Sequence, residues 1–256
     1  MESLKNKVVF ITGATSGIGK ACAEAFAKEG TNLILCARRE KLLKNLSDEL
    51  IQKNGIKIFS GKVDVRNKGE VDKFVESFPP EFKMVDILIN NAGLSRGLEK
   101  FYDDDHINWE EMIDTNVKGL LYVTKAVIPL MLSKGEGLII NIGSIAGREA
   151  YPKGAVYCAS KHAVYAITKS LRMDLVDKNI RVSTIDPGMV ETEFSKVRFR
   201  GDEEKAANVY KGLTPLKGKD IAETAVFIAC RPKHVNISDV VIFPSRQASA
   251  TIVHRD

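Results

Sequence analysis

The stretch Ile11–Ala21, ITGATSGIGKA, decides how this chain is read. It follows an apolar run of strand length, KVVFIT (7–12), and opens a segment with alanines at helical spacing, Ile18 to Lys28. Gly13, Gly17 and Gly19 permit a tight turn and close backbone approach to a phosphate. A helix beginning near Ile18, with Ser16 just ahead of it, aims unpaired N–H groups and the positive end of its dipole at that anion. Three glycines also fit a plain strand-to-helix turn. Their place between a first strand and an alanine-rich helix is the context of a dinucleotide-binding loop. The spacing here is GxxxGxG rather than the commoner GxGxxG.

Working outward, the strand-then-helix pattern repeats to the end of the chain. NLILCA (32–37), IKIFSGKV (56–63), VDILIN (85–90), GLIINIGS (137–144), IRVSTIDPG (180–188) and DVVIF (239–243) read as strands. Between them Leu42, Leu43, Leu46 and Leu50 recur on one helix face, and Val71, Phe74, Val75 and Phe78 on another that ends at Pro79–Pro80. Longer helices are predicted over Asn108–Leu132 and Ala155–Asp177, with a last one over Asp220–Ala229. Continuous apolar strands indicate a parallel sheet covered on both faces. Right-handed crossovers then give a single-domain, doubly wound α/β fold of about seven strands, spanning residues 1–256. Ligands in such sheets bind beyond the strands' carboxyl ends, at the switch point. One charged, weakly patterned stretch, Glu191 to Leu216, is long enough to be a lid.

With 256 residues, 44% of them hydrophobic, the chain can bury a large core. No apolar run approaches the length of a membrane span, and the N-terminus enters a strand without a signal-like segment. Cys22, Cys36, Cys158 and Cys230 stand in no metal-ligand spacing. The expectation is a reduced, cytoplasmic protein without structural metal. The net charge of +5 is scattered among acids rather than massed with aromatics, which argues against nucleic acid and suits a small anionic ligand.

The second strand ends in LCARRE. An acid at this place would bond a ribose 2′-hydroxyl and repel a 2′-phosphate. Arg38 and Arg39 stand there instead. Their planar forks suit a phosphate dianion, which points to NADP(H) over NAD(H); the alternative is a solvated pair at a helix start.

Tyr157 and Lys161, in VYCASKHAV (156–164), share one helix face about 6 Å apart along the axis. An ammonium beside a phenol favours phenolate, so Lys161 is expected to lower the Tyr157 pKa. Such a pair is also common on ordinary helices. Ser144 ends the fifth strand at the ligand edge, where its hydroxyl could orient a carbonyl or alcohol oxygen, or simply cap a turn. Asn116, near the buried face of the 108–132 helix, is either a helix-to-backbone tie or the holder of a relay water leading to Lys161.

TGATSGIG (12–19), Asp64–Val65, NNAG (90–93), Asn116, Ser144, Tyr157–Lys161 and Pro187–Gly188 followed by Thr192, taken in order, resemble the short-chain dehydrogenase/reductases over nearly the whole chain. The resemblance implies a catalytic tetrad of Asn116, Ser144, Tyr157 and Lys161. It implies that Asp64 and Val65 flank the adenine, that Asn91, with Ala92 and Gly93, lies under the cofactor ribose, and that Pro187, Gly188, Val190 and Thr192 touch the nicotinamide end. NNAG could equally serve to steady the sheet. GSIAGREAYPKGAVYCASKHAV (143–164), PGMVETEFSKVRFRGDEEKA (187–206) and HVNISDVVIFPSRQAS (234–249) are similar to the NADP-dependent 3-hydroxy acid dehydrogenases. That narrower likeness implies oxidation of serine, L-allo-threonine or related 3-hydroxy acids, or reduction of small semialdehydes, by a homotetramer built through the two long helices. Its substrate carboxylate should meet a cation, Arg148 or Arg198. The rivals are another carbonyl substrate (a carrier-bound 3-oxoacyl chain, a sugar or a steroid) and a non-catalytic dinucleotide sensor. The charged lid and the complete tetrad argue against these.

Overall fold

The computed structural model describes residues 2–256. In chain order its elements are β1 (Val8–Thr12), α1 (Gly17–Lys28), β2 (Asn32–Ala37), α2 (Glu40–Asn54), β3 (Ile58–Lys62), α3 (Lys68–Glu76), β4 (Ile87–Asn90), α4 (His106–Ile113), α5 (Leu120–Lys134), β5 (Gly137–Ile142), α6 (Ala155–Asp174), β6 (Ile180–Pro187), β7 (Val190–Glu191), α7 (Phe194–Arg198), α8 (Glu203–Asn208), β8 (Leu216–Lys217), α9 (Gly218–Ala229) and β9 (Asp239–Ile242). The main sheet runs β3-β2-β1-β4-β5-β6-β9 and all its pairings are parallel. This is the doubly wound fold of about seven strands that the sequence predicts. The order reverses between β1 and β4, which opens a crevice at their carboxyl ends.

Both faces of the sheet are apolar because alternate strand residues serve different layers. Val9 and Ile11 of β1 pack with Leu33, Ile89 and Ile140 against α1, α2 and α9. Val8 and Phe10, one residue out of step, pack with Ile34, Leu88 and Ile139 against α3 and α5. The four cysteines are free and buried in these layers or beneath the cleft.

Two expectations change in detail. The helix predicted over 108–132 is not continuous: a π-helical turn, Asp114–Gly119, separates α4 from α5. Wider turns of this kind often mark functional sites, and this one carries Asn116. The stretch 191–216 is not a bare loop. It holds α7 and α8 and is flanked by the small β7–β8 sheet. Its charges pair with one another at the surface, Lys196 with Glu203 and Lys205 with Asp202, while Phe194 and Val197 turn inward. These surface pairs account for only part of the charge of this stretch.

Candidate active site

A cleft of about 780 Å³ lies along the carboxyl edge of the sheet. Of the residues singled out from the sequence, Gly19, Asn116 and Arg148 do not line it; the others do.

Its floor at one end is the glycine loop. Gly13 (φ +67°) and Gly17 (φ +53°) are in left-handed conformations that side chains disfavour. Gly19 lies beneath, where an added Cβ would sit 2.4 Å from Asn91 Nδ2. That amide donates to Thr12 O (2.9 Å) and Gly13 O (3.2 Å), locking the loop to the end of β4. Asn90 braces the sheet instead, donating to Thr124 Oγ1 (2.8 Å) and Asn141 Oδ1 (2.9 Å). Ser16, the residue before α1, makes no side-chain cap, so the first N–H groups of α1 keep their capacity for an anion from the cleft. The loop thus fits a dinucleotide's pyrophosphate.

At the β2 end the two arginines differ. Arg39 donates to Thr15 Oγ1 (3.2 Å) and pairs with Glu193 (2.8 Å) across the cleft mouth. Arg38 is exposed at the same mouth. Its charge reaches Asp64: burial pushes that carboxyl upward, but Arg66's forked bonds, aided by Arg38, outweigh it and hold the pKa below the usual carboxylate range. Two guanidiniums and a threonine hydroxyl at the end of the second strand fit a 2′-phosphate.

Three of the four residues expected to form a tetrad, Ser144, Tyr157 and Lys161, line the cleft together. Ser144, at the end of β5, accepts a bond from Ala146 N (3.1 Å), a turn cap. Tyr157 is buried beside it. Lys161, one turn along α6, donates its Nζ to Ile142 O (2.9 Å). Burial lowers the Lys161 pKa to about 8, with Asp186 pulling the other way. Burial pushes the Tyr157 phenol above its ordinary value; Arg198 and Ser144 oppose the shift. The expected depression of the phenol by Lys161 is therefore absent in the protein alone. The ammonium is directed at a backbone carbonyl, and desolvation of the ring dominates. Asn116 stands behind the cleft, where its Oδ1 accepts from Leu94 N (2.8 Å) and its Nδ2 donates to Leu94 O (2.8 Å) and Ser160 Oγ (3.0 Å). Both amide protons are spent, so the side chain is a backbone tie.

The two arginines proposed for a substrate anion separate decisively. Arg148 points away, its Nε on Asp186 (2.7 Å), its Nη2 2.6 Å from the same carboxylate, and its plane 4.5 Å over Tyr165. The reason is Asp186, 2% exposed, whose buried charge needs a partner. Arg198, on α7, enters the cleft. Its guanidinium lies 5.5 Å over the Tyr157 ring and 5.3 Å over Phe194, donates to Tyr151 Oη (3.3 Å), and keeps a buried Nε–H without a partner. A buried guanidinium donor without a partner calls for an acceptor.

Sequence reasoning overlooked Asp186, although an acid inside the apolar run VSTIDPG was a visible signal. It also overlooked Tyr151 and Gln247. Gln247, within the stretch 234–249, accepts from Met189 N (2.8 Å) from the far end of the chain.

A family model described as "short chain dehydrogenase" matches residues 7–203. The chain is 45% identical to the NADP-dependent 3-hydroxy acid dehydrogenase of Schizosaccharomyces pombe, covering 100% of this chain and 99% of that protein. It is 43% identical to sulfoacetaldehyde reductase 2 of Chromohalobacter salexigens, covering 97% and 99%. Among solved structures, the closed form of a serine dehydrogenase complexed with NADP+ superposes with a TM-score of 0.92 at 41% identity, covering 97% of this chain and 100% of that one. With a matching family model over most of its length, and with the glycine loop, Ser144, Tyr157 and Lys161 gathered in one cleft, this chain belongs to the short-chain dehydrogenase family.

Proposed function

We propose that this protein is an NADP(H)-dependent oxidoreductase that interconverts small 3-hydroxy acids with the corresponding 3-oxo acids or semialdehydes. One observation carries the substrate class: the Arg198 guanidinium lines the cleft, 5.5 Å over the Tyr157 ring. The named relatives give support. A 3-hydroxy acid and sulfoacetaldehyde share an oxyanion one methylene from the reacting carbon, and an arginine fork accepts either kind of anion.

Arg38, Arg39 and Thr15 would hold the 2′-phosphate, the glycine loop the pyrophosphate, and Lys161 a ribose hydroxyl. Asp64 and Val65 would flank the adenine, with Asn91 to Gly93 and Pro187 to Thr192 completing the cradle. A nicotinamide bound there would supply or accept the hydride, and in its oxidised, cationic form would favour the phenolate. In reduction Tyr157 gives its proton to the carbonyl oxygen. In oxidation the same oxygen takes the hydroxyl proton. Ser144 donates to the substrate oxygen as charge builds on it. Asn116 fixes the loop at Leu94. Helices α5 and α6 form the faces of a homotetramer; Leu121, Leu132 and Met173 stand exposed on them.

The test is NADP+ reduction with 3-hydroxypropionate, L-serine and L-allo-threonine, NADPH oxidation with malonic semialdehyde, and the same assays with methyl 3-hydroxypropionate. A free acid preferred to its ester supports the reading. Preference for the ester, or equal use of NAD+, refutes it.

A further inference from the structure

We propose that Arg96 is a positioning residue for the substrate anion: with Glu111 it forms a charged strut that holds the backbone of Arg198 in place. This rests on the reading of Arg198 given above.

Arg198 belongs to α7, a helix of five residues. A helix this short does not hold its own position, so the placement of its side chains comes from outside contacts. Both carbonyls around Arg198 are taken by neighbouring residues of one loop. Arg96 Nη1 donates to Val197 O, and Gly97 N donates to Arg198 O (3.1 Å). The Nε of Arg96 donates to the Glu111 carboxylate of α4. Arg96 and Glu111 are 14% and 24% exposed, so water screens this pair little. Two residues earlier, Leu94 is gripped from both sides by Asn116. Residues 94–97 therefore form a short bridge whose one end is set by a tetrad position and whose other end sets Arg198.

Arg96 does not line the cleft and cannot touch the substrate. Its work is geometric. A displaced Arg198 would no longer meet the substrate anion squarely, which weakens binding of the acid and leaves the proton-transfer groups in place. An arginine is the residue type for this task because its planar fork serves a carboxylate and a carbonyl at once, which a point-charged ammonium does not. The lid is also tied independently by Arg200 Nη2, which donates to Asn108 Oδ1 (2.7 Å). Loss of the strut should thus leave the segment folded but its arginine misplaced.

The experiment compares wild type with Arg96→Met, Glu111→Gln, the double variant and Arg198→Met, using 3-hydroxypropionate and its methyl ester with saturating NADP+. Arg96→Met should raise KM for the acid about tenfold while kcat changes less than about twofold. The acid-to-ester ratio of kcat/KM should fall by about the same factor, and Glu111→Gln should act in the same direction. The double variant should be no worse than Arg96→Met, because the pair acts as one unit. Should Arg96→Met not fold, Arg96→Lys, which keeps the charge and loses the fork, carries the same comparison. Equal losses for acid and ester overturn the proposal by showing a general structural role. If Arg198→Met lowers the acid-to-ester ratio and neither strut variant does, the strut fails and the reading of Arg198 stands. If Arg198→Met leaves the ratio unchanged, both fail.

Discussion

Replacing Lys161 with methionine should abolish turnover and yet stabilise the protein at neutral pH. Lys161 is 7% exposed. Burial lowers its pKa from 10.5 to about 8. At about 1.36 kcal/mol per pKa unit, that difference is about 3 kcal/mol of native stability lost to a buried charge. Below pH 8 the folded and unfolded chains both carry the proton, and the whole penalty applies. Between pH 8 and 10.5 the unfolded chain holds the proton more tightly, so wild-type stability rises with pH and the penalty fades. Methionine fills the space of the stem without the charge. It also leaves Ile142 O without its 2.9 Å bond from Nζ, a loss of about 1–2 kcal/mol. The net gain at pH 7 is about 1–2 kcal/mol, and the variant's advantage should shrink by about 3 kcal/mol by pH 10.5. Urea denaturation of both proteins at pH 7, 8, 9 and 10, without dinucleotide, measures this. A variant less stable at pH 7, with a gap that does not move with pH, would refute the argument that function keeps an uncompensated charge here.

Tyr157→Phe should reduce kcat at least about 100-fold while NADPH binding, followed by fluorescence, changes little, since only the proton-transferring oxygen is lost. Without dinucleotide, the ultraviolet phenolate titration of wild type minus Tyr157→Phe should lie above that of free tyrosine, because burial raises the phenol's pKa. Changing Arg38 and Arg39 together to alanine should weaken NADP+ binding by up to about 3 kcal/mol and NAD+ binding much less, as measured by calorimetry. Arg148→Met should destabilise the fold by about 3–5 kcal/mol in denaturant melts, because Asp186 is left buried without its partner. If Arg148 instead bound substrate, its loss would fall on KM with stability intact.

Features that depend on local pattern alone were legible along the chain. Strands such as NLILCA and helices such as α2 announce themselves by apolar periodicity, and their alternation points to a parallel α/β sheet. The glycine loop was legible because its backbone demands are local. The pairing of Tyr157 with Lys161 on one face follows from helix geometry alone. Tertiary structure decided everything that depends on what lies opposite. Arg148 and Arg198 looked alike as candidates; the buried Asp186 on β6 claimed the first, and the inward turn of α7 delivered the second to the cleft. Arg38 and Arg39 are neighbours in sequence, yet only one meets Glu193 from the distant lid segment. Lys161 was expected to act on the phenol beside it, but packing directs its ammonium to Ile142 O and leaves desolvation to set both pKa values. The charges of 191–216 suggested a polar lid; folding pairs Lys196 with Glu203 at the surface, while Phe194, Val197 and Arg198 line the cleft. Periodicity encodes which face of an element is buried; it does not encode which charge waits on the other side, because that partner comes from a different part of the chain.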